Sequence, residues 1–263
     1  MAKNSAINWT DHTANFWWGC QKVSEGCKHC YAETLSKRYG KSIWGSPKNT
    51  GREYKKAVWK DLLKWDDEAG ADGIRRRVFV SSMSDFLEDH PQVTGWRNEA
   101  IGLIAGLRNL DVLLLTKRPE NAIQFLGDWW NSWPSHVWMG TTVEDQKSAD
   151  IRIPELVCIP APIHFLSVEP MLEQIDLQIE GRNFGMTYAT YSQRVQWVIC
   201  GGESGAGCRP FVWDWARGLK EQCLESGTAF WMKQGGGHPN KRHEFIDIPE
   251  DLRIRELPVV EAG

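Results

Sequence analysis

The stretch Val112-Leu113-Leu114-Leu115-Thr116-Lys117-Arg118-Pro119 is apolar for four residues, polar for three, and closed by a proline. Four consecutive apolar residues are too few for a helix. They suit a strand covered on both faces, as in a parallel sheet. Pro119 then presets the backbone of a first helical turn, so the stretch reads as strand, polar edge, helix. The same pattern recurs at Val78-Phe79-Val80, Val137-Trp138-Met139, Ile163-His164-Phe165-Leu166, Val195-Gln196-Trp197-Val198-Ile199 and Ala229-Phe230-Trp231-Met232. Ala6-Ile7-Asn8-Trp9 is a candidate for an earlier strand.

Helical patterns separate these runs. Ile101, Ile104, Leu107 and Leu110 mark one face after Thr94, and Ile123 and Leu126 follow Pro119. Trp215, Leu219 and Cys223 share a face before Gly227, a natural stop, and Tyr31 to Tyr39 suits a short helix ending at Gly40. Alternating strands and helices predict an α/β fold with a parallel sheet. About seven strands, with no Gly-x-Gly-x-x-Gly after the first, favour a partial or complete parallel (β/α) barrel over a dinucleotide-binding sheet. One domain over residues 1–263 is expected, with 41–77 as an insertion after the first helix and 235–263 as a C-terminal extension.

Apolar residues make up 41% of the chain and charged residues 25%, a globular balance that excludes wholesale disorder. No apolar run approaches the roughly 20 residues of a membrane span. Met1-Ala2-Lys3-Asn4-Ser5 leads into no apolar signal region, so no membrane partner and a cytoplasmic location are expected. A net charge of −3 sets up no global attraction to nucleic acid, but local patches are compatible with it. From Lys41 to Lys60 six basic residues meet a single acid, Glu53, with Trp44, Tyr54 and Trp59 between them. Such a stretch is either a solvated, partly helical excursion or a grip on a nucleic-acid backbone.

Seven cysteines are unevenly placed: Cys158, Cys200, Cys208 and Cys223 are scattered, while Cys20, Cys27 and Cys30 fall within eleven residues. Clustered thiols in a cytosolic chain point to a metal or to catalysis before disulfides. The spacing is C-x6-C-x2-C, with Gly26 easing the turn before Cys27. Thiolates are soft donors that select zinc or iron–sulfur clusters. A structural zinc site closes with four protein ligands, and no fourth is obvious here. His12 is a feasible fourth ligand; His29, inside the Cys-x2-Cys loop, is a poor one. Three thiolates without a fourth suit a [4Fe-4S] cluster with one open iron.

With these residues the sequence resembles the radical S-adenosylmethionine (SAM) superfamily. More closely, it is similar to a phage- and prophage-associated family with a radical-SAM-like three-cysteine motif. The matching stretches include Asn8-Trp9-Thr10-Asp11, Gly19-Cys20 through Tyr31-Ala32-Glu33, Ser82-Met83-Ser84-Asp85, Leu115-Thr116-Lys117-Arg118-Pro119 and Gly140-Thr141-Thr142-Val143-Glu144. Further matches are Phe165-Leu166-Ser167-Val168-Glu169-Pro170, Gly201-Gly202-Glu203-Ser204-Gly205, Arg209-Pro210 and Lys233-Gln234. The most familiar superfamily spacing is C-x3-C-x2-C, three residues shorter in the first gap. The resemblance implies a radical-SAM type of barrel, a [4Fe-4S] cluster on Cys20, Cys27 and Cys30, and SAM as cofactor. It also implies an electron donor such as flavodoxin or ferredoxin, and reductive cleavage of SAM to take hydrogen from a substrate. A phage setting and the basic aromatic stretch make a nucleotide or nucleic-acid base the candidate substrate, for modification or repair.

In α/β barrels reactive groups gather at the C-terminal ends of the strands, and here nearly every apolar run ends in polar residues. Lys117, Glu169, Glu203 and Lys233 are candidates for catalysis. Ser82, Ser84, Asp85, Thr116, Thr142, Glu144, Gly201, Gly202 and Ser204 are candidates for cofactor binding. Lys117, Arg118 and Lys233 suit a carboxylate or phosphate. Gly201-Gly202 suits either close approach of a ligand or a tight turn. Two other readings stay open: a non-enzymatic zinc- or cluster-stabilised binding module, and a [4Fe-4S] enzyme that does not use SAM.

Overall fold

The computed structural model describes residues 2–178, 194–205, 207–237 and 245–259. These form two compact units: Met1–Val23, Cys30–Met139 and Pro160–Pro162 in the first, and Ser24–His29, Gly140–Ile159 and Ile163–Gly263 in the second. The fold is mixed α/β, compatible with a partial β/α barrel.

In the first unit, β1 (Ala2–Lys3) runs antiparallel to β2 (His12–Ala14), and β3 (Trp17–Trp18) pairs antiparallel with β4 (Glu53–Tyr54). Helix α1 (Tyr31–Arg38) and helix α2 (Ala57–Asp72) precede β5 (Arg76–Val80), which is parallel to β2 with His12 opposite Val78. Helix α3 (Pro91–Gly106) then leads to β6 (Leu110–Thr116), parallel to β5 with Val78 opposite Val112. A helical crossover between parallel neighbours is what that pairing requires. Helix α2 buries Val58, Leu62, Trp65 and Ala69, one stripe at helical spacing, and ends on Gly73 at φ 70°. Val78, Val80, Val112 and Leu113 are wholly buried in the sheet. A short turn at Pro119–Asn121 runs into α4 (Ala122–Leu126), where Pro119 was expected to start a helix.

The chain changes unit inside β7 (Val137–Thr142). In the second unit α5 (Gln146–Val157) opens on an Asp145–Ser148 capping box, in which each side chain bonds the other's backbone N–H. Strands β8 (His164–Val168) and β9 (Trp197–Gly201) are buried along their whole length and parallel. Helix α6 (Trp213–Ser226) buries Leu219 and Cys223 and stops at Gly227, φ 71°, before β10 (Ala229–Gln234), parallel to β9. The free edge of β10 is covered by the chain's own end: Met232 N–H bonds the Ile254 carbonyl, and Glu256 N–H bonds the Phe230 carbonyl.

Each apolar run read as a strand from Val78 onward overlaps a strand, although Ile163 lies just before β8 and Val195 and Gln196 just before β9. The earliest strand differs. Ala6 to Trp9 is a bend and turn, and the strand forms at His12–Ala14. Trp9 packs its ring on Phe79, while the Thr10 hydroxyl accepts from Phe79 N–H and reaches the carbonyls of His12 and Arg77, each at 2.9 Å. Thr10 thereby aligns a polar-looking segment against β5. Leu110 belongs to β6 and not to the preceding helix, which begins at Pro91, three residues ahead of Thr94. The 41–77 stretch contains β4, all of α2 and the start of β5. The 235–263 extension is described only in part; 238–244 and 260–263 lie outside the described residues.

Candidate functional site

The polar residues singled out at strand ends do stand at C-terminal strand ends. In the first unit the centre is Asp85, in the turn after β5. Its carboxylate takes four donors: the Thr116 hydroxyl (2.6 Å), Leu87 N–H (3.0 Å), Lys117 N–H (3.0 Å) and Arg118 Nη1 (2.7 Å). Burial would push this carboxyl up, but Arg118, Thr116 and the backbone donors together hold it below the usual value. The turn begins at Ser81, a non-glycine residue at φ 72°. Such strained positions favour functional sites. Ser82 accepts from Asn15 Nδ2 through its hydroxyl and from the Tyr31 hydroxyl through its carbonyl. The Ser84 hydroxyl is buried and makes no hydrogen bond among the described residues.

Arg118 carries the Asp85 cluster to the first cysteine. Its Nη2 donates to the Gln21 carbonyl at 2.7 Å, and its Nη1 lies 3.8 Å from Cys20 Sγ. Burial pushes the Cys20 thiol up, with the Arg118 guanidinium opposing. Beside it, Glu88 accepts from Gln21 N–H (2.7 Å) and from Arg52 Nη2 and Nε (2.8 Å each). Arg52 and Glu88 are 0% and 2% exposed. Arg52, which the sequence groups with the basic stretch, is therefore turned inward.

In the second unit Glu144 plays the matching part. It is fully buried, with one oxygen on Arg152 Nη1 (2.7 Å) and the other accepting from the Ser24 hydroxyl. The Ser24 hydroxyl is also 3.8 Å from Cys27 Sγ. Gly26 lies directly against Glu144: a Cβ there would stand 2.8 Å from its Cδ. Arg152 Nη1 also donates to the Thr142 carbonyl at 2.7 Å. Glu203, after β9, accepts from Arg209 N–H (2.9 Å) and Nη2 (2.6 Å), and lies 2.9 Å from His29 Nδ1. Burial opposes its ionisation, but Arg209 and His29 outweigh that and hold the carboxyl at about 2.

Glu169, after β8, is paired with Lys233 Nζ at 2.7 Å and accepts from Gln234 Nε2 at 3.2 Å. Of the cations offered for a carboxylate or phosphate, Arg118 and Lys233 thus already hold protein carboxylates. Lys117 contributes its backbone N–H to Asp85. Gly202 makes room for protein, since a Cβ there would come within 2.2 Å of Gly236 N. Gly201 accepts from Met171 N–H, and Ser204 is half-buried.

Cys20, Cys27 and Cys30 are each partly exposed, whereas Cys200 and Cys223 are buried. Cys200 packs on Met171 Sδ at 3.8 Å. His12, the candidate fourth zinc ligand, has Nδ1 accepting from Asn4 N–H and its ring against Trp65 at 4.5 Å. Among the described residues no three His, Cys, Asp or Glu side chains are placed so as to hold a metal ion. The donor set available to a cluster is three thiols, a guanidinium 3.8 Å from the Cys20 sulfur and a hydroxyl 3.8 Å from the Cys27 sulfur. Donors at the sulfurs are what tunes thiolate-bound iron.

Glu88, Arg52, Ser24, Arg152 and Arg209 were not among the candidate site residues, although Ser24 and Arg209 lie in stretches that carry the resemblance. The signal available was the loop itself: a cysteine loop needs anchors, and these residues hold it at Gln21, Ser24 and, through Glu203, His29.

Among the described residues no helix is long and apolar enough to cross a membrane. Residues 4–255 match a family described as "Protein of unknown function (DUF5131)". No curated protein matches the chain, and no solved structure matches it.

Proposed function

We propose that this chain, which belongs to the DUF5131 family, is an iron–sulfur enzyme of the radical-SAM type on a partial (β/α) barrel. Its substrate is a nucleotide or nucleic-acid base. The observation that carries the reading is how the cysteine loop is held. Cys20-Gln21 rests on Arg118 and Glu88, Ser24 on Glu144, and His29 on Glu203. All four anchors follow strands, on the end where α/β enzymes keep their chemistry. A loop that served only to close a turn would not need four buried or half-buried charged anchors.

Cys20, Cys27 and Cys30 would hold a [4Fe-4S] cluster. When bound, such a cluster supplies the electron that cleaves SAM reductively, drawn in turn from a donor protein such as flavodoxin or ferredoxin. The chain's own residues would do the positioning. Arg118 and the Ser24 hydroxyl are placed to bond sulfur and stabilise thiolate over thiol. Asp85 fixes Arg118 in its orientation. The Lys233–Glu169 pair supplies a cation and an anion together, a match for the carboxylate and amine of an amino-acid moiety once their mutual contact is exchanged.

Anaerobic preparation with iron and sulfide tests this reading. It predicts about four iron and four sulfide per chain, lost in Cys27→Ala and Cys30→Ala and kept in Cys158→Ala. Zinc without sulfide would favour the binding-module reading instead.

A further inference from the structure

We infer that the exposed basic and aromatic surface between Lys37 and Lys60 docks single-stranded nucleic acid. The inference deepens the proposed function, and rests on it only for the strand's role as substrate; binding needs no cluster. The chain carries −3 overall, yet residues 37–60 hold eight Lys and Arg and one acid. That is a local charge of +7, so the remaining residues carry −10. A segregated patch of this kind attracts polyanions that the whole chain would not.

The structure sorts these cations. Arg52 is spent on Glu88, Lys37 pairs with Glu33 at 2.7 Å, and Lys41 and Lys55 share Glu53 at 3.2 and 2.8 Å. Arg38, Lys48, Lys56 and Lys60 are exposed and enter no ion pair among the described residues. Lys56 and Lys60 lie one turn apart at the start of α2, where the helix dipole adds positive potential. The aromatic part is contiguous with them. Lys55 Nζ lies 3.8 Å over the Trp18 ring, and Tyr39, 62% exposed, has its ring 6.0 Å from Trp18. An exposed tyrosine face among cations offers stacking to an unpaired base and charge to its phosphates. A duplex has its bases already stacked and gains only the charge.

Two further observations bear on the choice of partner. The apolar stripe of α2 is buried in the core, so the surface has no apolar face to insert into a lipid headgroup layer. The surface is also continuous with the start of the cysteine loop: Cys20 is bridged to Trp44, and Gly45 N–H bonds the Cys20 carbonyl at 3.0 Å. A strand on Tyr39 and Trp18 would lie within the same unit as Cys20.

The test is fluorescence anisotropy with the full chain. The probes are labelled single-stranded DNA and RNA of about 20 nucleotides and the same DNA as duplex. Vesicles containing anionic lipid are the counter-probe. At least one single strand should bind saturably and more tightly than duplex, with log affinity falling linearly in log salt. Lys56→Ala/Lys60→Ala should reduce that slope by about 1.4, since each phosphate contact on a single strand contributes about 0.7. Tyr39→Ala should weaken binding about tenfold and leave the slope unchanged. No saturable binding, tighter duplex binding, a slope indifferent to the lysines, or binding to vesicles alone would each overturn the inference. Cleavage of SAM by a chain that binds no strand removes only this surface. Strand binding without SAM cleavage removes only the reaction.

Discussion

Replacing Glu88 with alanine should be one of the costliest single changes in the first unit. The Glu88 carboxylate sits under the cysteine loop with Arg52 on both oxygens and the Gln21 N–H on one of them. Without it, the buried guanidinium keeps only neutral partners, chiefly the Gly45 and Gly51 carbonyls at 3.0 and 2.9 Å. Removing one member of a buried pair costs about 3–5 kcal/mol, because the remaining charge stays desolvated and unmatched. Domain stabilities are about 5–15 kcal/mol, so this is a large fraction. At roughly 2–4 °C per kcal/mol for a chain of this size, Tm should fall by about 6–20 °C. The comparison is Arg217→Ala, which breaks pairs with Asp214 and Asp251 that are largely exposed. Exposed pairs contribute little, so that variant should melt close to the parent. Both are read by thermal melts followed through tryptophan fluorescence. If Glu88→Ala melts within about 2 °C of Arg217→Ala, the Arg52–Glu88 pair does not carry the stability assigned to it.

The second unit offers two further predictions. Gly26→Ala should lose about 1–3 kcal/mol, because Glu144 is fixed by Ser24 and Arg152 and cannot yield to a Cβ at 2.8 Å. Adding Glu144→Ala should make the two losses less than additive in urea unfolding; strict additivity would mean that the two residues do not meet. Glu203 is held at about 2, below its ordinary 4.5. Its contribution to stability is therefore complete above 4.5 and is lost as pH falls toward 2. Glu203→Gln should flatten the acid side of the stability profile in that window, and an unchanged profile would contradict the assigned Arg209 and His29 contacts.

The strands were legible because burial on both faces leaves continuous apolar runs. Where the run is polar the reading fails: His12-Thr13-Ala14 is a strand because Thr10, Trp65 and β5 satisfy it, and Trp65 and β5 are far from it in sequence. Helix α2 was legible only as part of a partly helical excursion, because its buried stripe, Val58 to Ala69, is interleaved with lysines and aspartates that read as solvated. The site was legible as a set of positions and not as a set of partners. Asp85, Glu144 and Glu203 stand out by following strands. That each carboxylate holds an arginine, and with it a point of the cysteine loop, is a tertiary fact. Arg52 shows the limit most plainly, since in sequence it is one more cation in a basic stretch.

The most direct measurement of the account is the fate of SAM. The cluster-loaded chain, reduced anaerobically with SAM present, is analysed for 5′-deoxyadenosine and methionine by chromatography. Both products are expected, dependent on reductant and absent in Cys20→Ala, Cys27→Ala and Cys30→Ala. A chain fully loaded with iron and sulfide that leaves SAM intact under reduction would contradict it.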